Sequence, residues 1–253
     1  SRFDAPKYAP ISTDHRRAIT LFGGSFVFIS FVLYTVFMKK KQEHLIVGID
    51  EAGRGPLAGP VAVGAVRYDQ RDVALMKALK TLMPTVKDSK QLSEKKREAI
   101  NKELGILVRT TSLQIEVSLV SARVIDTKGI SYAIRKGIEN VLTNLAGGKE
   151  DMEILLDGGL KAPDHFANQK TYIKGDATHL PIALASIAAK VKRDRHMKSL
   201  DRRFPKHGFA IHKGYGTKIH YEALQRHGRT PVHRATFLKN VPSGTGSQKA
   251  LQQ

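Results

Sequence analysis

The chain has 253 residues, with 42 Lys and Arg against 23 Asp and Glu, which gives a formal net charge of +19. With 41% hydrophobic residues and ordinary glycine and proline contents, the composition excludes a disordered or collagen-like chain. The lack of cysteine excludes disulfides, thiolate metal sites and cysteine nucleophiles. The positive charge favours a polyanionic partner, either a nucleic acid or an anionic membrane surface.

The first distinctive segment is 18–38, a run of 21 residues without a charge, flanked by basic residues on both sides. A helix of this length spans about 31 Å, which matches a bilayer hydrocarbon core of about 30 Å. Because a cleaved signal peptide has a shorter apolar core, we predict a retained single-pass transmembrane helix. Residues 44–253 keep 35 basic and 20 acidic residues, so contact with lipid alone does not explain the basic character.

Hydrophobic periodicity and capping residues predict alternating strands and helices after residue 43. Ser93 and Thr178 are predicted helix N-caps, and strands that alternate with helices indicate an α/β or mixed α+β class with one central sheet. The predicted strands are 44–50, 61–68, 106–117, 153–159 and 172–176. The predicted helices are the ten or so residues before Pro84 and, approximately, 94–104, 118–126, 130–145, 179–200 and 217–227.

Four acidic residues lie at predicted strand ends or just before a helix. Asp50 and Glu51 close the first strand, Asp157 closes the strand ILLD, and Asp176 precedes the long helix. Buried acids are costly unless they are paired or bind a cation, and oxygen ligands are those that Mg²⁺ and Mn²⁺ prefer. Each acid alone also fits a turn or a helix start, and the spacing alone does not establish that the four converge.

Other catalytic patterns are missing. The segment GRGPLAG at 53–59 fits neither dinucleotide-binding nor P-loop patterns, and its glycines would instead let the backbone approach a ligand, with Arg54 as a charged contact. The absence of HExxH and GxSxG disfavours zinc catalysis and a serine hydrolase. Four histidines lie among basic residues and are predicted to be surface or phosphate-contacting groups: His207, His212, His227 and His233.

Five blocks of the sequence resemble the bacterial-type ribonuclease HII family. They occur in the order that the family shows, span nearly all of 44–238, and carry GRG where the related ribonuclease HIII type is expected to show GTG. The blocks are GIDEAGRGPLAGPVAVGAV (48–66), KDSKQLSEKKRE (87–98), LLDGG (155–159), IKGDATHLPIALASIAAKVKRDR (173–195) and FPKHGFAIHKGYGT (204–217).

The resemblance implies a ribonuclease H-like α/β fold, in which helices flank a mixed sheet and a small helical C-terminal part closes over the substrate. It also implies an endonuclease that cleaves the RNA strand of RNA/DNA hybrids and nicks DNA 5′ to an embedded ribonucleotide. The implied cofactor is Mg²⁺ or Mn²⁺ in a two-metal site, and the implied products carry 3′-hydroxyl and 5′-phosphate ends.

Residue roles follow from the same resemblance. The implied catalytic metal ligands are the four acids chosen above on chemical grounds. The loop Gly53, Arg54 and Gly55 would contact the ribose 2′-hydroxyl, and Tyr215 would stack on the adjacent sugar. Phosphate and backbone contacts are implied for Lys90, Ser186 and Lys190. Asp194 is interpreted instead as a surface or structural acid on the long helix, paired with a neighbouring arginine.

The predicted organisation is a 1–43 tail with the transmembrane helix, a catalytic domain at 44–240 and a flexible tail at 241–253. The leading hypothesis is a membrane-tethered enzyme whose catalytic domain is monomeric and faces the cytoplasm. One alternative is a membrane-anchored nucleic-acid-binding protein on the same scaffold without turnover. Another is a different nuclease with a ribonuclease H-like core, such as a transposase or a junction nuclease.

Overall fold

A computed structural model describes residues 44–86, 92–146 and 152–238 of the chain. These residues form one five-stranded sheet with the strand order β3-β2-β1-β4-β5. Strands β1, β2 and β3 are antiparallel neighbours, whereas β4 runs parallel to both β1 and β5. The sheet is therefore mixed, as predicted. The strands are β1 (Leu45–Ala52), β2 (Val61–Asp69), β3 (Gln114–Val120), β4 (Glu153–Asp157) and β5 (Gln169–Tyr172).

Helices cover both faces of the sheet, and a group of short helices follows the longest one. Two 3₁₀ turns, Pro205–His207 and Ala235–Phe237, complete this C-terminal part. The helices are α1 (Val73–Val86), α2 (Glu94–Thr110), α3 (Ala122–Lys128), α4 (Ile130–Ala146), α5 (Gly175–Thr178), α6 (Leu180–Arg203), α7 (Phe209–His212) and α8 (Lys218–His227).

The apolar core is divided by the sheet into two clusters, because successive side chains of a strand point to opposite faces. Val47 and Ile49 of β1 pack with the buried face of α4. Ile46, also in β1, packs on the other face with residues of α1, α2 and α6, such as Ile187. The layers are therefore helix, sheet and helix.

Helix α6 lies directly on the sheet because glycines of the two central strands leave room for its backbone. A Cβ atom at Gly48 would collide with the backbone of Pro181, and one at Gly64 would collide with the carbonyl of Ala185. The alanines of α6 are almost completely buried in this contact, which confirms that this face packs tightly against the sheet. The close packing brings Ser186 next to the end of β1.

Two predicted strands are wrong in position. The predicted strand 106–117 is split, because α2 continues to Thr110 and β3 begins only at Gln114. Its β-branched residues favour a strand locally, but Leu104 is fully buried on the core face of the helix and tertiary packing decides the outcome. The predicted strand 172–176 lies three residues earlier, since the chain turns at Lys174 with a positive φ of 56°.

The predicted helix boundaries are partly confirmed. Ser93 caps α2, where its hydroxyl accepts a hydrogen bond from the Lys96 backbone N–H at 3.3 Å. The N-cap of α6 is His179 and not Thr178, because the short helix α5 already uses Thr178 as its last residue. Helix α1 passes through Pro84 to Val86, where the prediction ended it before the proline.

The predicted transmembrane helix at 18–38 and the predicted tail at 241–253 lie outside the described residues. Among the helices that the structure does describe, none is both long enough and apolar enough to span a bilayer.

Candidate active site

Two of the four predicted acids meet because their strands are parallel neighbours. In the register of β1 and β4, Ile49 is opposite Leu156. The next residues, Asp50 near the end of β1 and Asp157 at the end of β4, therefore lie side by side at the same edge of the sheet. Asp50 is almost completely buried, with 5% of its surface exposed. Two carboxylates therefore share one end of the central strands.

The third acid is brought to the same edge by a turn. After β5, the left-handed backbone of Lys174 directs the chain into α5, whose first turn contains Asp176. The Gly175 N–H donates a hydrogen bond to Asp157 Oδ1 at 2.6 Å, and Asp176 is 2% exposed. This bond holds the start of α5 against the end of β4.

Glu51 has a different environment from Asp50. Its backbone N–H donates to Asp50 Oδ1 at 2.7 Å, but its own side chain pairs with Arg54, with 3.2 Å between Oε1 and Nη1. Adjacent residues of a strand point to opposite faces, so these two side chains diverge from neighbouring Cα atoms. Glu51 consequently belongs to the cleft wall, beside the glycine-rich loop.

The surroundings of Asp50 disfavour a negative charge on its carboxyl group. Burial raises the pKa of Asp50 to about 7, although the hydroxyl of Ser186 hydrogen bonds to it and opposes the shift. The negative charges of Glu51 and Asp157 raise this pKa further. A carboxylate that is desolvated among like charges gains most from a nearby cation.

The donor chemistry of this cluster fits a divalent metal. Four carboxylates offer only oxygen ligands, which Mg²⁺ and Mn²⁺ prefer. As the side chains stand, no three His, Cys, Asp or Glu residues in 44–86, 92–146 and 152–238 form a group that could hold an ion. The fit therefore rests on the oxygen donors around one sheet edge and on the charge repulsion at Asp50, which a cation would relieve.

The loop after β1 is held by two buried arginines that sequence reasoning did not single out. Arg234 donates hydrogen bonds to the carbonyls of Gly53, Arg54 and Gly59, at 2.7, 2.8 and 3.0 Å. It is completely buried, and burial lowers its pKa to about 10, so it remains charged at neutral pH. The segment HRATF at 233–237, which contains this arginine, gives no indication in a single sequence that the side chain turns inward.

Arg193 of α6 holds the other half of the same loop. Its guanidinium donates to the carbonyls of Pro60 and Ala58, at 2.9 and 3.3 Å, and to that of Lys213 at 3.0 Å. Gly53 has a φ of +88°, and a Cβ atom there would collide with the Arg193 side chain. Both the positive φ and the lack of space for a Cβ atom therefore require glycine at the first position of the GRG segment.

Tyr215 lies across the cleft from the loop and is 48% exposed. The Arg193 guanidinium carbon is 5.7 Å from the centre of its ring, within the range of a cation–π contact. Lys213 and Gly214, with φ values of 51° and 85°, form the turn that presents the tyrosine. Arg193 thus contacts both the loop and the segment that carries Tyr215.

These elements surround one open cleft of about 490 Å³. Its wall contains the predicted residues Glu51, Gly53, Arg54, Gly55, Lys190 and Tyr215. Several further basic side chains line it: Arg97, Arg193 and Lys213. The structure thus gathers most of the predicted substrate-binding residues around one concave, basic surface.

Ser186 and Lys190 form a chain that leads to Asp50. The Lys190 ammonium donates to the Ser186 hydroxyl at 2.8 Å, and this hydroxyl hydrogen bonds to Asp50. Ser186 is completely buried, so the contacts that it makes here are with protein groups. Its phosphate contact remains a prediction, and Lys90 lies outside the described residues.

Asp194 is a structural acid, as predicted, but its partner comes from another helix. Its Oδ2 atom is 3.0 Å from Arg97 Nη2, which joins α6 to α2. Four histidines are predicted to be surface or phosphate-contacting groups. His227 is exposed, as predicted, but the prediction is wrong for His207, His212 and His233, which are buried. The three buried rings surround Phe209.

Comparison with known proteins decides the family. The family model described as Ribonuclease HII matches residues 47–240. This chain belongs to the ribonuclease HII family. A ribonuclease HII from Caldicellulosiruptor bescii is 42% identical over 200 residues, which cover 79% of this chain and 89% of the relative. The chain is accordingly an endoribonuclease of ribonuclease H type 2.

Solved structures agree with the fold. Ribonuclease HII of Archaeoglobus fulgidus, in its complex with PCNA, is 25% identical with a TM-score of 0.58, over 77% of this chain and 94% of that one. Bst-RNase HIII in complex with Mn²⁺ is 22% identical with a TM-score of 0.55, over 74% and 63% of the two chains. The second likeness bears on the ribonuclease H-like fold alone.

Proposed function

We propose that this ribonuclease HII cleaves the RNA strand of RNA/DNA hybrids and nicks duplex DNA 5′ to an embedded ribonucleotide, leaving 3′-hydroxyl and 5′-phosphate ends. The observation that carries the proposal is the shared location of three features. Glu51, the chain neighbour of buried Asp50 at the sheet edge, lines a cleft that also contains the GRG loop and an exposed tyrosine. The acids suit phosphodiester hydrolysis, and the GRG loop and the tyrosine suit recognition of a sugar.

In this proposal, Asp50, Glu51, Asp157 and Asp176 hold a pair of Mg²⁺ or Mn²⁺ ions. Such ions supply Lewis acidity and activate a water for in-line attack on a phosphate. The acids keep the cations at the sheet edge, and Ser186 orients Asp50 from the side of α6.

The GRG loop would read the 2′-hydroxyl through its backbone. Arg234 occupies the carbonyls of Gly53 and Arg54, and in a trans peptide the N–H of the next residue points the opposite way. The N–H groups of Arg54 and Gly55 therefore face away from Arg234, on the side of the cleft wall. The 2′-hydroxyl is the group that distinguishes RNA from DNA at a given site.

Tyr215 and the basic side chains complete the proposed substrate site. A half-exposed aromatic ring beside the loop can stack on the sugar that follows the ribonucleotide. Arg54, Arg97, Lys190 and Lys213 would contact phosphates and make binding weaker at high salt. Residues 44–253 carry 35 basic and 20 acidic side chains, which favours the same polyanionic substrate.

One observation favours a second candidate, a nucleic-acid-binding protein without turnover. Glu51 is paired with Arg54, and no three acids within the described residues are grouped as metal ligands. A pure binder would gain nothing from Asp50, however, since a buried carboxyl among acids repels a phosphate. We therefore retain the hydrolase as the main proposal.

The domain division also stays a proposal. We infer a catalytic domain at 44–240, preceded by a 1–43 tail and followed by a 241–253 tail. The membrane anchor at 18–38 is a prediction from the sequence, with the catalytic domain on the cytoplasmic side. Fractionation of cells that express the full chain tests it: recovery in the membrane pellet until detergent is added supports the anchor, and recovery in the soluble fraction contradicts it.

Strand nicking by the full chain tests the function. The substrate is a DNA duplex with one ribonucleotide, incubated with Mg²⁺, with Mn²⁺ and with a chelator. We expect metal-dependent cleavage on the 5′ side of the ribonucleotide and no cleavage of the all-DNA duplex. Glu153→Gln is a matched control, because this acid lies at the opposite end of β4 and pairs with exposed Lys170. Tight binding without cleavage in either metal would favour the second candidate.

A further inference from the structure

A cluster of four buried histidines lies beneath the turn that presents Tyr215. His207 stacks on Phe209 with 5.6 Å between ring centres, and His212 stacks on His220 with 4.1 Å. His233 closes the cluster, with its Nε2 atom 3.1 Å from His220 Nε2. All four rings are at least nine-tenths buried, so they do not form part of a surface that a substrate can touch.

The hydrogen bonds fix the proton position on His233. Its Nδ1 atom is 2.8 Å from the Thr230 backbone N–H, which can only donate. Nδ1 therefore accepts, and in a neutral imidazole the proton is then on Nε2. This proton points to His220 Nε2, which must be the acceptor.

The direction continues through His220. Because its Nε2 accepts, its proton is on Nδ1, which donates to the Tyr215 carbonyl at 2.9 Å. Burial lowers the pKa of His220 to about 4 and that of His233 to about 3, so both rings are neutral at physiological pH. A directed chain thus runs from the Thr230 N–H through two rings to the backbone of Tyr215.

His212 holds the preceding residue of the same turn. The Gly214 N–H donates to His212 Nδ1 at 3.1 Å, so the ring's Nε2 proton donates to the His207 carbonyl at 2.7 Å. Lys213 has a positive φ of 51°, which costs a non-glycine residue conformational energy that surrounding contacts must offset. The stacked pair His212 and His220 therefore supports a strained turn from below.

We propose that His220 is a positioning residue for Tyr215, acting through the chain of neutral histidines that ends at the Tyr215 carbonyl. The proposal rests on the proposed function, in which the exposed ring of Tyr215 contacts the substrate. His220 itself is 0% exposed and acts only through the tyrosine. The competing view is that the bond is redundant, because the Thr217 N–H also donates to the Tyr215 carbonyl, at 2.8 Å.

Two substitutions at one position separate these views. In His220→Asn the amide nitrogen takes the place of Nδ1 and keeps a donor for the Tyr215 carbonyl. In His220→Gln the amide reaches the place of Nε2, and the donor near Tyr215 is lost. We expect kcat/KM on the single-ribonucleotide duplex to fall about tenfold in His220→Gln, mainly through KM, as for a lost binding contact, and less than about threefold in His220→Asn.

The background Tyr215→Ala provides the control for mechanism. If His220 acts through the tyrosine, adding His220→Gln to Tyr215→Ala lowers kcat/KM no further. An equal loss in both backgrounds, or an active His220→Gln with full kcat/KM, overturns the proposal. Thermal unfolding accompanies each variant, and His233→Asn breaks the chain at a second site while its amide oxygen still accepts from Thr230, in case His220→Gln does not fold.

Measuring the affinity of the protein for the duplex in chelator tests the positioning role without relying on catalytic turnover. A wild-type protein that binds the ribonucleotide duplex without cleaving it contradicts the proposed function only. In that case, the same variants are compared by fluorescence anisotropy. Weaker binding by His220→Gln than by His220→Asn, absent in Tyr215→Ala, supports the positioning role, and equal affinities overturn it.

Discussion

Two groups of buried titratable residues, the acids at the sheet edge and the histidines under the Tyr215 turn, have opposite electrostatic properties. At the sheet edge, Asp50 is buried beside Glu51 and Asp157, and its pKa is raised to about 7 by desolvation and like charge. Under the turn, His220 and His233 are equally buried, but each ring nitrogen that bonds has a partner of the right kind. The acids at the sheet edge are placed where their negative charges repel each other, whereas the rings of His220 and His233 stay neutral.

This difference assigns the two regions different tasks. A cluster of acids that repel each other is destabilising in the protein alone, and it becomes favourable only when a cation is bound. The neutral, hydrogen-bonded pair His220 and His233 stabilises the fold with or without a cation and fixes the shape of the recognition turn. Neutralising substitutions should consequently stabilise the first region, whereas substitutions that remove hydrogen bonds should destabilise the second.

The largest expected effect is on activity at the acid end. Asp50→Asn keeps the size of the side chain but removes a charged oxygen donor, and we expect cleavage to fall by at least about a hundredfold. Initial rates on the single-ribonucleotide duplex in Mg²⁺ measure this. A rate within a few-fold of that of Glu153→Gln would place Asp50 outside the catalytic group.

The next effect concerns the glycine-rich loop after β1, whose carbonyls Arg234 binds. Arg234→Met removes the donors for three buried carbonyls, and an unsatisfied buried polar group costs about 1–3 kcal/mol. We expect the free energy of unfolding to fall by about 3 kcal/mol or more, measured by urea denaturation. Arg195→Met is the control, because it breaks only a partly exposed ion pair with Glu98, which is worth about 1 kcal/mol or less.

A further effect is the pH dependence of stability. The folded pKa values of His220 and His233 are below the unfolded value, so their contribution is complete above about pH 6.5 and is lost as the pH falls towards 4. Asp50 acts in the opposite direction, because its raised pKa makes the fold less stable as the pH rises through 7. In the Asp50→Asn background, stability should fall by up to about 1.4 kcal/mol per pH unit for each proton bound.

Urea unfolding at pH 7, 6 and 5 checks this dependence. His233→Asn in the same background should reduce the slope, since one of the two rings no longer takes up a proton on unfolding. An unchanged slope would mean that these histidines are not responsible for the acid sensitivity.

Local sequence signals predicted much of the fold. Continuous apolar runs rich in β-branched residues located β1 and β2 closely, and the hydroxyl of Ser93 identified the start of α2. They were wrong at 106–117, where the burial of Leu104 extends a helix through residues that favour a strand. Such a choice depends on contacts with distant residues, which a single sequence does not contain.

Some residues of the candidate site could be predicted from the sequence and others could not, for the same reason. Acids at strand ends are visible in a sequence, because a charged residue directly after an apolar run is unusual. Arg193 and Arg234 look like ordinary surface residues of basic blocks, and only the fold shows that they bind the carbonyls of residues up to 181 positions away. The inward direction of His220 was equally invisible, since it depends on the turn at Lys213 and Gly214.

The measurement that tests this contrast most directly is the unfolding free energy of wild type and Asp50→Asn, in chelator and in saturating Mg²⁺ at pH 8. We predict that Asp50→Asn is the more stable protein in chelator, because the substitution removes a buried charge from among acids. We also predict that Mg²⁺ stabilises wild type, by about 2.7 kcal/mol at a hundredfold excess over its Kd, and stabilises the variant much less. An Asp50→Asn protein that is less stable than wild type in chelator, or equal stabilisation of both by Mg²⁺, would contradict the account.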